Sequence, residues 1–242
     1  MLLICDHASF HIPDDLAGLG LPQAEQRRHI GWDIGAAAVT RRLAELLDAQ
    51  AVLGGVSRLV IDLNRHPNDA DAIPELSDGT VIPANMKLGQ AERERRVARF
   101  FTPYHKAIAA GIESLLLRGP PPALIAVHSF TPSMRGTPRP WHVGILWNRD
   151  SRLADPLIAS LAREPGLIAG DNEPYSGRSI AYSMNTHAGA RGLPHAGIEI
   201  RQDLIEDEAG VESWAQRLAG ALSPLLTPEL LRAEFFLEDP GS

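Results

Sequence analysis

Two short apolar runs, Leu2–Cys5 and Ala123–Val127, each stop at a histidine, the first in Asp6-His7-Ala8-Ser9 and the second in His128-Ser129. Four or five apolar residues without alternation are too few for a helix and fit strands buried on both faces. Runs of the same kind predict further strands at Ala51–Leu53, Leu59–Leu63, Val143–Trp147, Leu167–Gly170 and Ala196–Ile200. Between them the apolar residues recur at spacings of three and four. Ile34, Ala37, Ala38, Leu43, Leu46 and Leu47 predict an amphipathic helix from Trp32 to about Asp48, and residues 151–163 and 211–225 read likewise. Ala91–Leu117 is helical in pattern, with a break or bend expected at Pro103. Alternating strands and helices predict an α/β chain, a three-layer sandwich around a mixed, mostly parallel sheet.

The Gly and Pro clusters are the size of loops, with no internal repeat, so residues 1–242 are expected to form one α/β domain. Residues 66–90, with Pro67, Pro74, Gly79 and Pro83, predict a long surface excursion, and Asp239–Ser242 are expected to fray. A net charge of -7 argues against a nucleic-acid partner, because that affinity comes from Lys and Arg on phosphates. No apolar stretch approaches the roughly 20 residues that cross a bilayer, and Met1–Cys5 is too short for a signal peptide, so no membrane partner is expected. The lone Cys5, inside an apolar run, reads as a buried thiol of a reducing, cytoplasmic compartment.

In open α/β sheets ligands gather at the carboxyl ends of strands. His7, Asn64-Arg65 and His128 fall at such ends, and Glu199 and Arg201 lie within the last strand. Two histidines from separate strands can bind zinc if a carboxylate or water completes the tetrahedron; a histidine satisfied by a local hydrogen bond is the plainer reading. Asp33, at the start of a helix, can serve as third ligand or simply suit the helix dipole, and Asp6 can act as an outer acceptor orienting His7. On a strand, Arg58, Asp62 and Asn64 would share a face, and an inward Arg58 needs either Asp62 or a bound carboxylate. Glu199 inside an apolar strand is costly unless it pairs with Arg201 or works as a general base. His105 reads as a helix-surface residue. Phe130–His142 reads as either a cationic rim or plain solvated charge, and nothing fixes Tyr175 or His187 at a site.

Taken in order, Asp6-His7-Ala8-Ser9, His29–Gly35, Ser57–Arg65, Pro103-Tyr104-His105, Val127–Phe130 and Ile198–Arg201 make the chain resemble the N-formylglutamate amidohydrolase family over about residues 2 to 205. That family is in turn similar to the zinc carboxypeptidases and aspartoacylases. The resemblance implies a zinc-carboxypeptidase-like fold and metal-assisted hydrolysis of the amide of an acidic N-acyl amino acid, a small-molecule substrate. It implies zinc on His7 and His128, Asn64 and Arg65 holding the substrate carboxylate, Arg58 polarising the scissile carbonyl, and Glu199 as general base. Arg201 is expected on the substrate side, and a homo-oligomer is compatible with all of this. The aspartoacylase-like relatives carry a glutamate ligand three residues after the first histidine. Phe10 stands there, so Asp33 is expected to take its place. The departure also keeps a second reading in view, a non-catalytic binder of an acidic ligand.

Overall fold

In the computed structural model, residues 1–236 are described, and the expected fraying of Asp239–Ser242 falls outside them. Six strands form one sheet: β1 (Leu2–Cys5), β2 (Gln50–Leu53), β3 (Leu124–Phe130), β4 (Val143–Leu146), β5 (Ala169–Asp171) and β6 (His195–Arg201). Their order is β2-β1-β3-β6-β4-β5, and every neighbouring pair is parallel except β6 and β4. The α-helices longer than one turn are α1 (Ala36–Leu46), α2 (Gln90–Arg96), α3 (Thr102–Leu116), α4 (Ala154–Leu161), α5 (Tyr182–His187) and α6 (Glu208–Leu222). Strand alternation splits the core. Leu3, Cys5, Ile125, Val127, Ile198 and Ile200 face α1, α4 and α6, whereas Leu2, Ile4, Leu124 and Ala126 face α3, α5 and the coil of residues 56–63. The mixed, mostly parallel α/β sandwich read from the sequence is what forms. Among the described residues no helix is long and apolar enough to cross a membrane.

One local outcome differs from the expectations. Leu59–Leu63 is not a strand: Leu59, Val60, Ile61 and Leu63 are buried in consecutive turns, with Val60 N donating to Ser57 O and Asp62 N to Ala72 O. An apolar run fully buried in coil gives the same pattern as a buried strand. The break expected at Pro103 takes the form of a π-turn at Val97–Phe101 between α2 and α3, with Pro103 in the first turn of α3. Residues 66–90 run as the expected excursion, with a small hairpin pairing Leu76–Ser77 to Thr80–Val81.

Candidate active site

The central strands bring the polar residues to one place. Ile4 of β1 pairs with Ala126 of β3, and Glu199 of β6 lies directly across from His128, so the end of β1, His128 and Glu199 form adjacent rows. His128 shares the face of Leu124 and Ala126, and Glu199 points to that side too, opposite Ile198 and Ile200. The loop into α1 supplies Asp33. Asp33 N donates to His7 O at 3.0 Å, and Gly35, with φ +80°, turns the chain where a Cβ would meet Ile205 O.

His7 and His128 stand edge to face with ring centroids 5.0 Å apart and are each 4 % exposed. Asp33 Oδ2 lies 3.2 Å from His7 Nδ1 and 2.7 Å from His128 Nδ1. The other ring nitrogens have carboxylates of their own: His7 Nε2 is 2.7 Å from Asp62 Oδ1, and His128 Nε2 is 3.1 Å from Asp6 Oδ2. Asp6 therefore orients His128, not His7 as the sequence suggested, and Asp62 takes the place behind His7. Asp6 Oδ1 also accepts from the Tyr104 and Ser183 hydroxyls, at 2.9 and 2.5 Å. His7, Asp33 and His128 form a group whose ligand atoms lie within 4.8 Å of one another.

Burial alone would raise the aspartates, but the histidines beside Asp6 and Asp33, and Arg58 with His7 beside Asp62, hold all three carboxyls below their usual range. Burial likewise opposes protonation of the histidines, yet Asp33 and Asp6 push His128 well up, and Asp62 and Asp33 raise His7. Three anions thus enclose two imidazoles that favour the cationic state, a charge balance suited to a divalent cation. Glu199 differs. Burial pushes it up to about 7, and its Oε2 has no hydrogen-bond partner among the described residues.

A cavity of about 200 Å³ opens over this group, lined by His7, Asp33, Arg58, Asn64, Arg65, His128 and Glu199. Arg58 reaches it differently from the expectation. In the turn, not on a strand, Arg58 and Asp62 meet as an i,i+4 pair, with Nη2 to Oδ2 at 2.7 Å, while about 30 % of the arginine side chain stays exposed. Asn64 Oδ1 accepts from Ser183 N at 3.0 Å. Arg65 lines the cavity without an ion-pair partner among the described residues. Arg201 is not brought in: its Nε donates to Asp203 at 2.8 Å, and it neither lines the cavity nor pairs with Glu199. Phe10 packs at the side, edge-on to Trp32 and beneath Arg27.

The loops complete the walls. Phe130, Thr131 and Met134 of the cationic stretch line the cavity, and Arg139 donates to the hydroxyl of Tyr175, another lining residue. His105 is not a surface residue. It lies beneath the site, its Nε2 3.0 Å from Leu63 O and its Nδ1 2.8 Å from His187 Nε2. Ser183 carried no sequence signal. Tyr104 had one, since it lies in the Pro103-Tyr104-His105 motif, where the histidine drew the attention.

A family profile described as N-formylglutamate amidohydrolase matches residues 1–206 of the chain. Among solved structures, gene product Atu2144 from Agrobacterium tumefaciens is 36% identical, with TM-score 0.90, over 93% of this chain and 89% of that one. An N-formylglutamate amidohydrolase from Ralstonia eutropha JMP134 is 22% identical, with TM-score 0.68, over 95% and 93%. A search of curated proteins finds no match.

Proposed function

Since the chain belongs to the N-formylglutamate amidohydrolase family and is thereby a hydrolase of amides, we propose that it is a zinc-dependent enzyme cleaving the acyl amide of an acidic N-acyl amino acid such as N-formylglutamate. The observation that carries this reading is the pair of buried histidines, each backed on Nε2 by its own carboxylate, with Asp33 between their Nδ1 atoms. Two imidazole nitrogens and one carboxylate oxygen are a donor set that zinc accepts, with a fourth position left open. Bound there, zinc would supply Lewis acidity, lowering the pKa of water towards about 7 and polarising the amide carbonyl. Glu199, near neutral in pKa, takes a proton from the attacking water and delivers it to the departing amine. Arg58 stabilises the developing oxyanion, and Arg65 with Asn64 holds the substrate carboxylate. Arg201, tied to Asp203, has no part. The lone thiol, Cys5, is buried, which supports a reducing, cytoplasmic setting.

A binder of acidic ligands would use the same arginines but has no need of Glu199, a buried carboxyl whose Oε2 lacks a hydrogen-bond partner among the described residues, which favours hydrolysis. The test is elemental mass spectrometry of the wild type beside His7→Ala, His128→Ala and Asp33→Ala, with hydrolysis of N-formyl-L-glutamate compared against N-formyl-L-leucine. About one zinc per chain, lost in each variant, and preference for the acidic substrate are expected. A wild type that takes up no zinc on reconstitution refutes the metal mechanism. Equal turnover of the two substrates refutes the acidic specificity.

A further inference from the structure

Arg139, in the stretch that follows β3, is a buried guanidinium, 9 % exposed, with no ion-pair partner among the described residues. Its Nη2 donates to the Tyr175 hydroxyl at 2.9 Å, and its Nη1 reaches Thr131 O and Oγ1 only at 3.4 Å. Its Cζ stands 5.6 Å from the ring centroid of Phe130 and 4.9 Å from that of Tyr175. Aromatic faces attract a cation but carry no charge to cancel it. The neighbouring arginines are committed elsewhere, Arg58 to Asp62 and Arg201 to Asp203. A buried cation kept without a carboxylate is costly unless an anion arrives with a ligand.

Tyr175 carries that charge to the catalytic cavity, which it lines with Phe130, Thr131 and Glu199. A phenol has one O–H and two lone pairs; Arg139 occupies a lone pair, so the O–H has no acceptor among the described residues. Burial holds the hydroxyl above its usual range, so at neutral pH it keeps its proton and can donate it. Arg65, the other cation of the cavity without an ion-pair partner among the described residues, comes from the turn after Leu63. Arg65 and Tyr175 also stand together in a wider groove of about 460 Å³ that adjoins the cavity through His29, Arg58 and Met134. Two walls of one cavity thus each present an unneutralised cation, one directly and one through a phenol. A single carboxylate satisfies one of them, and a ligand with two carboxylates satisfies both.

We infer, resting on the reading of Arg65 and Asn64 as the seat of the substrate's first carboxylate, that the Tyr175 hydroxyl, held from behind by Arg139, donates to a second carboxylate on the side chain of the N-acyl amino acid. Tyr175 touches the ligand; Arg139 positions and polarises it. The probes are glutarate, a dicarboxylate with no amide to cleave, and 4-acetylbutyrate, in which a methyl ketone replaces one carboxylate. Each is titrated calorimetrically into the full-length protein. Glutarate is expected to bind about 10- to 100-fold more tightly, the worth of one charge-assisted hydrogen bond. Tyr175→Phe and Arg139→Met should each erase that preference by weakening glutarate, with 4-acetylbutyrate little changed, and Arg139→Lys, which keeps the charge and a donor, should retain it. Methionine preserves the packing against the Phe130 and Tyr175 rings and, in place of an arginine without a carboxylate partner among the described residues, uncovers no buried anion, so the fold is kept. Equal affinities in the wild type, no measurable glutarate binding, a preference that survives both Tyr175→Phe and Arg139→Met, or a loss that strikes both ligands alike overturns the assignment. Neither probe is cleaved, so a glutarate preference in a protein that hydrolyses no N-formyl substrate refutes the amidase reading and leaves the dicarboxylate site standing.

Discussion

Replacing Asp6 by asparagine asks whether the carboxylate behind His128 acts through the tautomer it imposes. In the wild type Asp6 Oδ2 accepts from His128 Nε2 at 3.1 Å, while Oδ1 takes the Tyr104 and Ser183 hydroxyls. An asparagine whose oxygen faces the two hydroxyls turns its NH2 group onto His128 Nε2. Two donors cannot bond, so the imidazole must carry its proton on Nδ1, the nitrogen that has to be bare to hold a metal. The flipped asparagine keeps the Nε2 bond, and Ser183 can turn its hydroxyl to Leu63 O, 3.1 Å away. That route exchanges a charge-assisted bond of about 1.5–3 kcal/mol for a neutral one of about 0.5–1.5 kcal/mol. The difference, on the order of 1–1.5 kcal/mol, is about tenfold in zinc affinity, and the first route costs more, so the expected loss is about 10- to 100-fold. Competition with a chromophoric chelator reads the affinity, and near-ultraviolet circular dichroism checks that the fold survives. A folded Asp6→Asn protein that binds zinc as tightly as the wild type would refute the reasoning.

Three further outcomes are expected. Glu199→Gln should lower turnover about 10²- to 10⁴-fold with zinc content unchanged. Because burial already pushes this carboxyl up to about 7, the metal-free variant should melt no lower than the wild type at neutral pH; a lower melting temperature would mean that the carboxylate holds the fold. Arg65→Ala should raise KM for an acidic substrate about 10- to 100-fold with kcat little changed, the worth of one charge-assisted bond; an unchanged KM removes Arg65 from carboxylate binding. Burial and the neighbouring His105 lower His187 from 6.5 to about 4. A base depressed in the folded state contributes stability that is present above 6.5 and lost as pH falls towards 4. A shift of that size is worth about 3 kcal/mol at full strength and about 1–2 kcal/mol after screening, since His187 retains contact with water. Urea unfolding at pH 7 and pH 5 should show that loss in the wild type and a smaller one in His187→Phe, and equal losses would clear His187 of it.

What the sequence made legible, and what it hid, divides at the strand ends. His7, His128 and Glu199 could be read because short apolar runs place them on central strands or just past the end of one, where a polar side chain stands out. Asp33 could be read as a helix-start carboxylate and a candidate third ligand, but its place between both Nδ1 atoms, with the backbone bond from Asp33 N to His7 O, shows only in the fold. Asp62 and Arg58 were misplaced on a strand that does not form; a turn brings them together at i,i+4 instead. Arg201 misled for the opposite reason: its place on β6 is as expected, but the next turn offers Asp203 within 2.8 Å. Ser183, from α5, reaches Asp6 across 177 residues, and no local pattern announces a contact of that separation.

The four carboxylates around the cavity are all buried, and their surroundings divide their work. Asp6 has two hydroxyls and an imidazole, Asp62 has Arg58, an imidazole and the Asn64 N–H, and Asp33 has both imidazoles. Each is matched by donors, stays ionised, and can act only as a ligand or an orienting anion. Glu199 faces the same cavity from the next strand with no donor on Oε2 among the described residues, and the charges of His128, His7 and Arg58 only partly offset its burial. Its proton affinity therefore rises to about 7, where a carboxyl can take a proton from water and return it to an amine at neutral pH. Supplying Glu199 with a donor through Gly144→Ser on the facing strand is blocked because a Cβ there would collide with Glu173 O. The close packing of β4 against residue 173 thus helps to keep the one carboxylate suited to proton transfer without a partner.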